Sequence, residues 1–448
     1  MKEDINNLFI KKNDEFIVDI VDYGTNGQGI AKIDGYTIFV NGALKGEKCK
    51  IHILKALKDY GFAKIEKVIE QSEFRKDSDC LTYSRCGGCV LRHISYDETL
   101  KIKQNQVQNL VRKTLKSNPT VNTTIGMENP FYYRNKAIYP ISKDKKVGLY
   151  AERTHDVIPL VECKIQTAKS QKIASFILDN WKDSIYDEAT NKGLLRNIII
   201  REGFSTQEVM VILVQNGEKW YDPEKLLKQF PEITSIVINI NTSKTNVILG
   251  NKNIVIYGKG YIQDKLGDYT FKISPNSFYQ INPTQTKKLY DIAINMTKLE
   301  KEDILFDLYC GTGTIGIFAA KYVKKVYGIE IVPEAIEDAK ENARINNVQN
   351  AEFIVGDVET AFDKLINQNK INLTALIVDP PRKGLDENTI YNILKTRPDK
   401  LTYISCNPAT LMRDLAKLEE KYNIKQIQPV DMFPFTKHIE CVTVLYLK

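Results

Sequence analysis

The stretch Ile304-Leu305-Phe306-Asp307-Leu308-Tyr309-Cys310-Gly311-Thr312-Gly313-Thr314-Ile315-Gly316 decides the fold of this chain. An apolar strand pattern runs into a turn with glycines at 311, 313 and 316, and a helical pattern follows near 315–323. Such a turn brings backbone N–H groups and the positive end of a helix to a ligand. Downstream, the apolar stretches 326–330, 351–356, 375–379, 401–405 and 442–447 alternate with amphipathic helical patterns, one of them near 333–345. Strand-helix alternation of this kind indicates a mainly parallel sheet covered by helices. The α/β fold expected for 271–448 is therefore Rossmann-like.

Upstream the pattern differs. Between residues 15 and 70 lie five short β-rich stretches, separated by turns such as Tyr23-Gly24-Thr25-Asn26-Gly27, which suggests an OB-like barrel over 9–70. Residues 71–270 read as a mixed α+β middle domain, with a helical stretch at 96–115 and the basic-aromatic run Phe131-Tyr132-Tyr133-Arg134-Asn135-Lys136. In that run, tyrosines suit stacking on unpaired bases while Arg134 and Lys136 suit phosphates.

The chain has 448 residues, 43% hydrophobic and 27% charged, values of an ordinary globular protein of two or three domains. No apolar run reaches the roughly 18 residues of a membrane span. The N-terminal MKEDINNLFIKK mixes charges and lacks a signal-peptide core, so a cytoplasmic location and no membrane partner are expected. Net charge is +7, and its distribution matters more than its sum. Lys/Arg and Asp/Glu balance at 11 each over 1–70 and 23 each over 271–448, whereas 71–270 holds 29 against 22. A basic middle flanked by neutral ends suggests a polyanion partner such as a nucleic acid.

Glycine spacing alone does not choose a cofactor; charge does. Asp307, four residues before the first glycine, would repel a pyrophosphate but suits the ammonium and sulfonium of S-adenosylmethionine. Glu330, ending the next strand, can accept hydrogen bonds from ribose hydroxyls. Asp357 falls near the expected adenine position and reads equally well as a helix cap.

Two more strand ends meet the same carboxyl edge. Asp379-Pro380-Pro381-Arg382 resembles the Asp/Asn-Pro-Pro segment of amino-group methylases, but Arg382 stands where those have a base-stacking aromatic residue. Ile404-Ser405-Cys406-Asn407-Pro408 puts a cysteine at a strand end before a turn, poised for exposure. Uracil carbon-5 is a poor nucleophile until a thiolate adds to carbon-6, so Cys406 beside a methyl donor suggests covalent catalysis. Near the C-terminus, His438 and Glu440 share one face of an extended chain; Glu440 is the expected general base, with His438 orienting it or replacing it.

Of eight cysteines, Cys80, Cys86 and Cys89 form C-x5-C-x2-C around Gly87-Gly88. Cys163 is a better fourth ligand than Cys49 of the barrel, and both zinc and an iron-sulfur cluster fit four thiolates.

Six motifs now resemble one family: the three cysteines with Cys163; Ser274-Pro275-Asn276-Ser277-Phe278-Tyr279-Gln280; Asp307-Leu308-Tyr309-Cys310-Gly311; Asp379-Pro380-Pro381-Arg382; Ser405-Cys406-Asn407-Pro408; and His438-Ile439-Glu440. Over nearly its whole length the chain resembles the class I RNA 5-methyluridine methyltransferases, specifically the 23S rRNA uracil-C5 enzymes with a TRAM barrel and a [4Fe-4S] cluster. The resemblance implies that Cys80, Cys86, Cys89 and Cys163 hold the cluster. Gln280, Tyr309, Glu330 and Asp379 would form the S-adenosylmethionine pocket, with Asp379 also near the target base. Cys406 would be the nucleophile and Glu440 the proton acceptor. It further implies a 23S rRNA substrate, since the tRNA-specific relatives resemble only the catalytic part, and a monomer is expected. The alternatives are a tRNA uridine-C5 methyltransferase, another RNA base methyltransferase, a radical S-adenosylmethionine enzyme, whose C-x3-C-x2-C the present spacing departs from, and a non-catalytic RNA-binding protein.

Overall fold

The computed structural model describes residues 10–142, 144–152, 154–369 and 371–448. Residues 1–9, with most of the charged N-terminal stretch and the first residue of the predicted barrel, lie outside them. Five sheets are built from the described residues.

The N-terminal sheet has six strands, in spatial order Glu15–Asp19, Lys48–Ala56, Tyr60–Glu70, Tyr36–Asn41, Gly29–Ile33 and Asp22–Tyr23. Alternating residues Ile38, Val40, Cys49, Ile51, Ile53 and Ala63 point inward and are fully buried, the period expected of a curled sheet with one dry face. The two long strands pair through three register irregularities, which bend them around that core. Glu47 is buried beside the barrel and takes two hydrogen bonds from Arg75, at 2.5 and 2.7 Å. This pair fastens the barrel to the chain that follows it.

The middle sheet runs Lys252–Gly258, Ile233–Ile240, Val209–Gln215, Leu195–Glu202, Lys136–Pro140. Every residue of Val209–Gln215 is buried because both faces are covered. Val209, Val211 and Leu213 pack with the helix Ala168–Asp179, while Met210, Ile212 and Val214 join the core of the C-terminal unit.

The C-terminal sheet has eight strands, ordered Ala351–Val355, Lys325–Glu330, Ile304–Leu308, Ala375–Val378, Lys400–Ser405, Glu440–Leu447, Tyr422–Val430 and Thr120–Val121. All neighbours are parallel except Glu440–Leu447, which runs antiparallel to both of its partners. The predicted strands are all present, as are helices Thr314–Ala320 and Pro333–Ile345. Tyr422–Val430 is an additional strand, hidden in the sequence by its Lys, Gln and Pro residues. The helix Tyr96–Thr114 and strand Thr120–Val121 come from the middle of the chain, yet Val107, Val111 and Val121 pack into the C-terminal core.

The strand order reverses between Ile304–Leu308 and Ala375–Val378, where open α/β sheets leave a crevice at the carboxyl edge. There Gly311 and Gly313 adopt φ of 53° and 77°. A Cβ on Gly313 would stand 2.7 Å from the Phe353 ring, whereas one on Gly311 would meet nothing within 4 Å, because it would project into the crevice.

Asp307 differs from its sequence reading as a contact to the donor's charged groups. It is fully buried, and its Oδ2 accepts the Gly316 N–H at 2.8 Å, tying the helix start to the strand end. Burial pushes its pKa up to about 8; the Gly316 hydrogen bond opposes this, and the charges of Asp379 and Glu330 add to it. A carboxyl whose folded pKa lies above its unfolded value of 3.8 contributes stability that is full below 3.8 and lost as pH rises through about 8. Asp307→Asn retains an acceptor for Gly316 but cannot ionise. Urea unfolding of the two proteins should therefore show the wild type losing stability relative to the variant from about pH 4 to 8; parallel curves would refute the buried protonated carboxyl.

Candidate active site

Five of the predicted site residues stand on one sheet edge because of where their strands stop. Tyr309 follows the strand Ile304–Leu308, Glu330 ends its own strand, Asp379 follows Ala375–Val378, and Cys406 follows Lys400–Ser405. Glu440 arrives from the opposite direction. The antiparallel register pairs Ser405 with Cys441, so Glu440 begins its strand at the edge where Cys406 ends the neighbouring one.

The glycine turn is held from both sides. Glu330 Oε2 accepts the Gly311 N–H at 3.2 Å and Oε1 accepts the Val332 N–H at 3.1 Å. Tyr309 has φ of 64°, a left-handed conformation rare for a non-glycine residue, and its O–H donates to Asp386 at 3.4 Å. Gln280 is 9% exposed, and its carbonyl accepts Asn135 Nδ2 at 3.0 Å. Arg201, buried in the middle sheet, donates to the carbonyls of Pro275 and Ser277 at 3.2 and 2.6 Å. Asn135 and Arg201 thus brace the Ser274-to-Gln280 segment. Nothing in their local sequence signals this, since the contacts span 74 to 145 residues of chain.

Two carboxyls and a thiol occupy the centre. Glu440 is 4% exposed, and burial first, then the charge of Asp379, lifts its pKa well above the ordinary range. Asp379 keeps some surface open to the crevice while the protein surrounds it, and desolvation pushes it up to about 7. Two such groups do not both ionise readily, so the pair retains a proton near neutrality. Cys406 is half-buried; burial, then the charges of Glu440 and Asp379, push its thiol up to about 11. Arg382 opposes both effects as the cation beside sulfur and carboxyl.

Arg382 is set in place by the Cys406 turn. Its carbonyl accepts Asn407 Nδ2 at 3.0 Å and the Thr410 hydroxyl at 3.3 Å, while Asn407 also caps the helix Pro408–Leu418. Its guanidinium lies 3.4 Å from both ring nitrogens of His438. Burial, then Arg382, push His438 down to about 4, so its ring is neutral at physiological pH. Asp357 is exposed and accepts the Glu359 N–H at 3.0 Å, the capping arrangement.

A second site lies in the middle of the chain. Cys80, Cys86, Cys89 and Cys163 line one small cavity with Tyr83, Arg92, Leu149 and Leu160. Gly88 N–H donates to Cys86 Sγ at 3.3 Å. Cys49 is instead enclosed in the barrel core. The run 131–136 is not the base-stacking platform expected from sequence. Tyr133 is 2% exposed and donates to Pro434 O at 3.2 Å, Phe131 packs on Phe435, and the exposed Tyr132 bonds Glu162.

No described helix is long and apolar enough to cross a membrane. With this geometry in view, comparison with known proteins is specific. The family model described as tRNA (Uracil-5-)-methyltransferase matches residues 95–448, and the TRAM domain model matches residues 11–65. An uncharacterized RNA methyltransferase of Halalkalibacterium halodurans is 44% identical, covering 98% of each chain. A counterpart from Staphylococcus aureus strain MSSA476 is also 44% identical, over 98% of this chain and 99% of the relative. Among solved structures, the Pyrococcus abyssi tRNA (uracil-54, C5)-methyltransferase in complex with S-adenosyl-L-homocysteine superposes with a TM-score of 0.78 at 28% identity. It covers 96% of this chain and 100% of its own. That full-length likeness corrects the expectation that tRNA-specific relatives resemble only the catalytic part. The chain belongs to the tRNA (uracil-5-)-methyltransferase family and carries a TRAM domain.

Proposed function

We propose that this protein transfers a methyl group from S-adenosylmethionine to carbon-5 of a uridine in RNA, through a covalent bond from Cys406 to carbon-6. The observation that carries the reading is the meeting of a half-buried thiol, two proton-retaining carboxyls and one arginine on the sheet edge beside an open glycine turn. The turn fits the donor, since Gly311 leaves room where any side chain would stand, and Glu330, Asp379, Tyr309 and Gln280 would hold it there. S-adenosylmethionine supplies an electrophilic methyl group when bound.

Cys406 first gives its proton to solvent water across the half-open crevice, and Arg382 stabilises the thiolate that two carboxyls otherwise disfavour. Sulfur adds to carbon-6, and the ring's electrons pass onto its oxygen as an enolate, making carbon-5 nucleophilic. After methyl transfer, carbon-5 still holds its hydrogen. Burial and the Asp379 charge favour a proton on Glu440, so Glu440 removes the carbon-5 hydrogen once that proton has passed to Asp379; the electrons return to the carbon-5–carbon-6 bond and expel the thiolate. His438, neutral and stacked against Arg382, orients that cation and needs no proton of its own.

For the middle site we propose a [4Fe-4S] cluster on Cys80, Cys86, Cys89 and Cys163. The four cysteines line one small cavity, as a four-thiolate centre requires, and the choice of a cluster over zinc rests on the family resemblance. The cluster would cross-link two distant chain segments. We take 23S rRNA as the substrate from the family resemblance alone, since the barrel and cysteine motif do not separate it from a tRNA uridine; that second reading is favoured by the likeness to the Pyrococcus abyssi enzyme.

RNA containing 5-fluorouridine should leave a stable protein-RNA adduct with the wild type and none with Cys406→Ala, while RNA affinity changes little. Glu440→Gln should form the adduct on ordinary RNA and release it at least about a hundredfold more slowly. Turnover by Cys406→Ala would remove the nucleophile, and rapid release by Glu440→Gln would remove the base. Mass spectrometry of rRNA and tRNA from cells with and without the gene should show 5-methyluridine missing from 23S rRNA; loss confined to tRNA would establish the second reading instead. Anaerobically purified protein should contain iron and sulfide in equal amounts, both lost in Cys163→Ser, whereas stoichiometric zinc would overturn the cluster.

A further inference from the structure

The segment 431–438 leads directly into Glu440, and its fixation comes from outside the catalytic edge. Three consecutive carbonyls are each captured by a donor. Lys103 Nζ donates to Phe433 O at 3.1 Å, the Tyr133 hydroxyl to Pro434 O at 3.2 Å, and both the Val90 and Leu91 N–H groups to Phe435 O at 3.0 Å. Lys103 is buried against Asp431 Oδ1 at 2.6 Å, and Tyr96 donates to the other carboxylate oxygen at 2.9 Å. From Phe433 onward the loop is internally braced. Thr436 Oγ1 donates to Phe433 O at 2.9 Å and accepts the His438 N–H at 3.2 Å.

Phe435 is the point where this loop meets the cysteine site. Its φ of 64° is unfavourable for a residue with a side chain, and such a conformation persists where the surroundings over-determine it. Its ring is enclosed by Tyr96 at 5.6 Å and Phe131 at 5.5 Å, with the Arg92 guanidinium 4.7 Å from its centroid. Arg92 in turn donates twice to Asp79, at 2.6 and 2.9 Å. Asp79 precedes Cys80, and Val90 follows Cys89. The C-terminal end of the cysteine-bearing loop therefore grips Phe435, five positions before the proposed base, and Asp79 at its other end holds Arg92 against that residue.

We propose that the loop carrying Cys80, Cys86 and Cys89 positions the general base: Arg92, Val90, Leu91 and Tyr133 hold Phe435 and its neighbours, and thereby fix where Glu440 enters the active site. Arg92 and Tyr133 are positioning residues that touch neither substrate nor donor. The kinetic half of this proposal rests on the reading of Glu440 given above; the structural half does not. Loosening the cysteine loop should release the 433–438 loop and cost turnover while leaving the glycine turn, and so donor binding, intact.

Hydrogen exchange followed by mass spectrometry on the full-length protein tests this in Tyr133→Phe, which removes one oxygen, and in Arg92→Met, which keeps the aliphatic stem. Amides 435–441 should exchange about fivefold faster or more in both, with the strand Ile304–Leu308 unchanged. Turnover should fall roughly tenfold at constant KM for S-adenosylmethionine. Unchanged exchange in the variants overturns the proposal; so does faster exchange with undiminished kcat. Exchange reads the loop without reference to chemistry, so a failed Glu440 assignment, detected separately in Glu440→Gln, is distinguishable from a failed positioning link.

Discussion

The active site depends on one strand running the wrong way. If Glu440–Leu447 were parallel to Lys400–Ser405 like its neighbours, its first residue would lie at the far edge of the sheet, about 20 Å from Cys406 at 3.3 Å per residue. Antiparallel pairing brings the beginning of the last strand to the end of the fifth. A carboxyl and a thiol from separate parts of the chain then face the same crevice, with no loop needed to carry either one there. The rigidity of a sheet edge holds both.

Bringing these groups together creates an electrostatic problem whose resolution is the chemistry. Burial disfavours the ionised forms of Asp379, Glu440 and Cys406, and each negative charge that forms further disfavours the others. The pair of carboxyls therefore keeps one proton, and Arg382 is the cation that makes a thiolate accessible. Arg382 owes its place to Asn407 and Thr410, which hold its backbone from the turn that presents Cys406. The Cys406 turn and Arg382 are thus one structural unit.

The accessory parts are fastened to this unit by polar contacts. Arg75 and Glu47 anchor the barrel, and Lys437 Nζ reaches Asn26 of a barrel turn at 3.1 Å, next to His438. Arg201 and Asn135 tie the middle sheet to the segment that ends in Gln280. The barrel and cysteine loop therefore converge on the rim of the catalytic crevice, where an RNA reaching Cys406 would meet them.

Much of this was legible in the sequence because it is local. Period-two and helical patterns marked the barrel and the alternating C-terminal elements, glycine spacing marked the turn, and strand-end positions marked Asp379, Cys406 and Glu330. Strand Tyr422–Val430 escaped because its exposed Lys and Gln residues dilute an apolar pattern, and Thr120–Val121 is too short to carry one. Side-chain direction was not legible either: Asp307 turns inward to Gly316, and Tyr133 spends its hydroxyl on Pro434 where an exposed stacking role was read. By itself the sequence determined the class of each domain and the residue types available for chemistry. Tertiary structure alone decided which of them share a crevice, which carboxyls keep a proton and what fixes the catalytic loop, because proximity, desolvation and coupling arise only between segments that folding brings together.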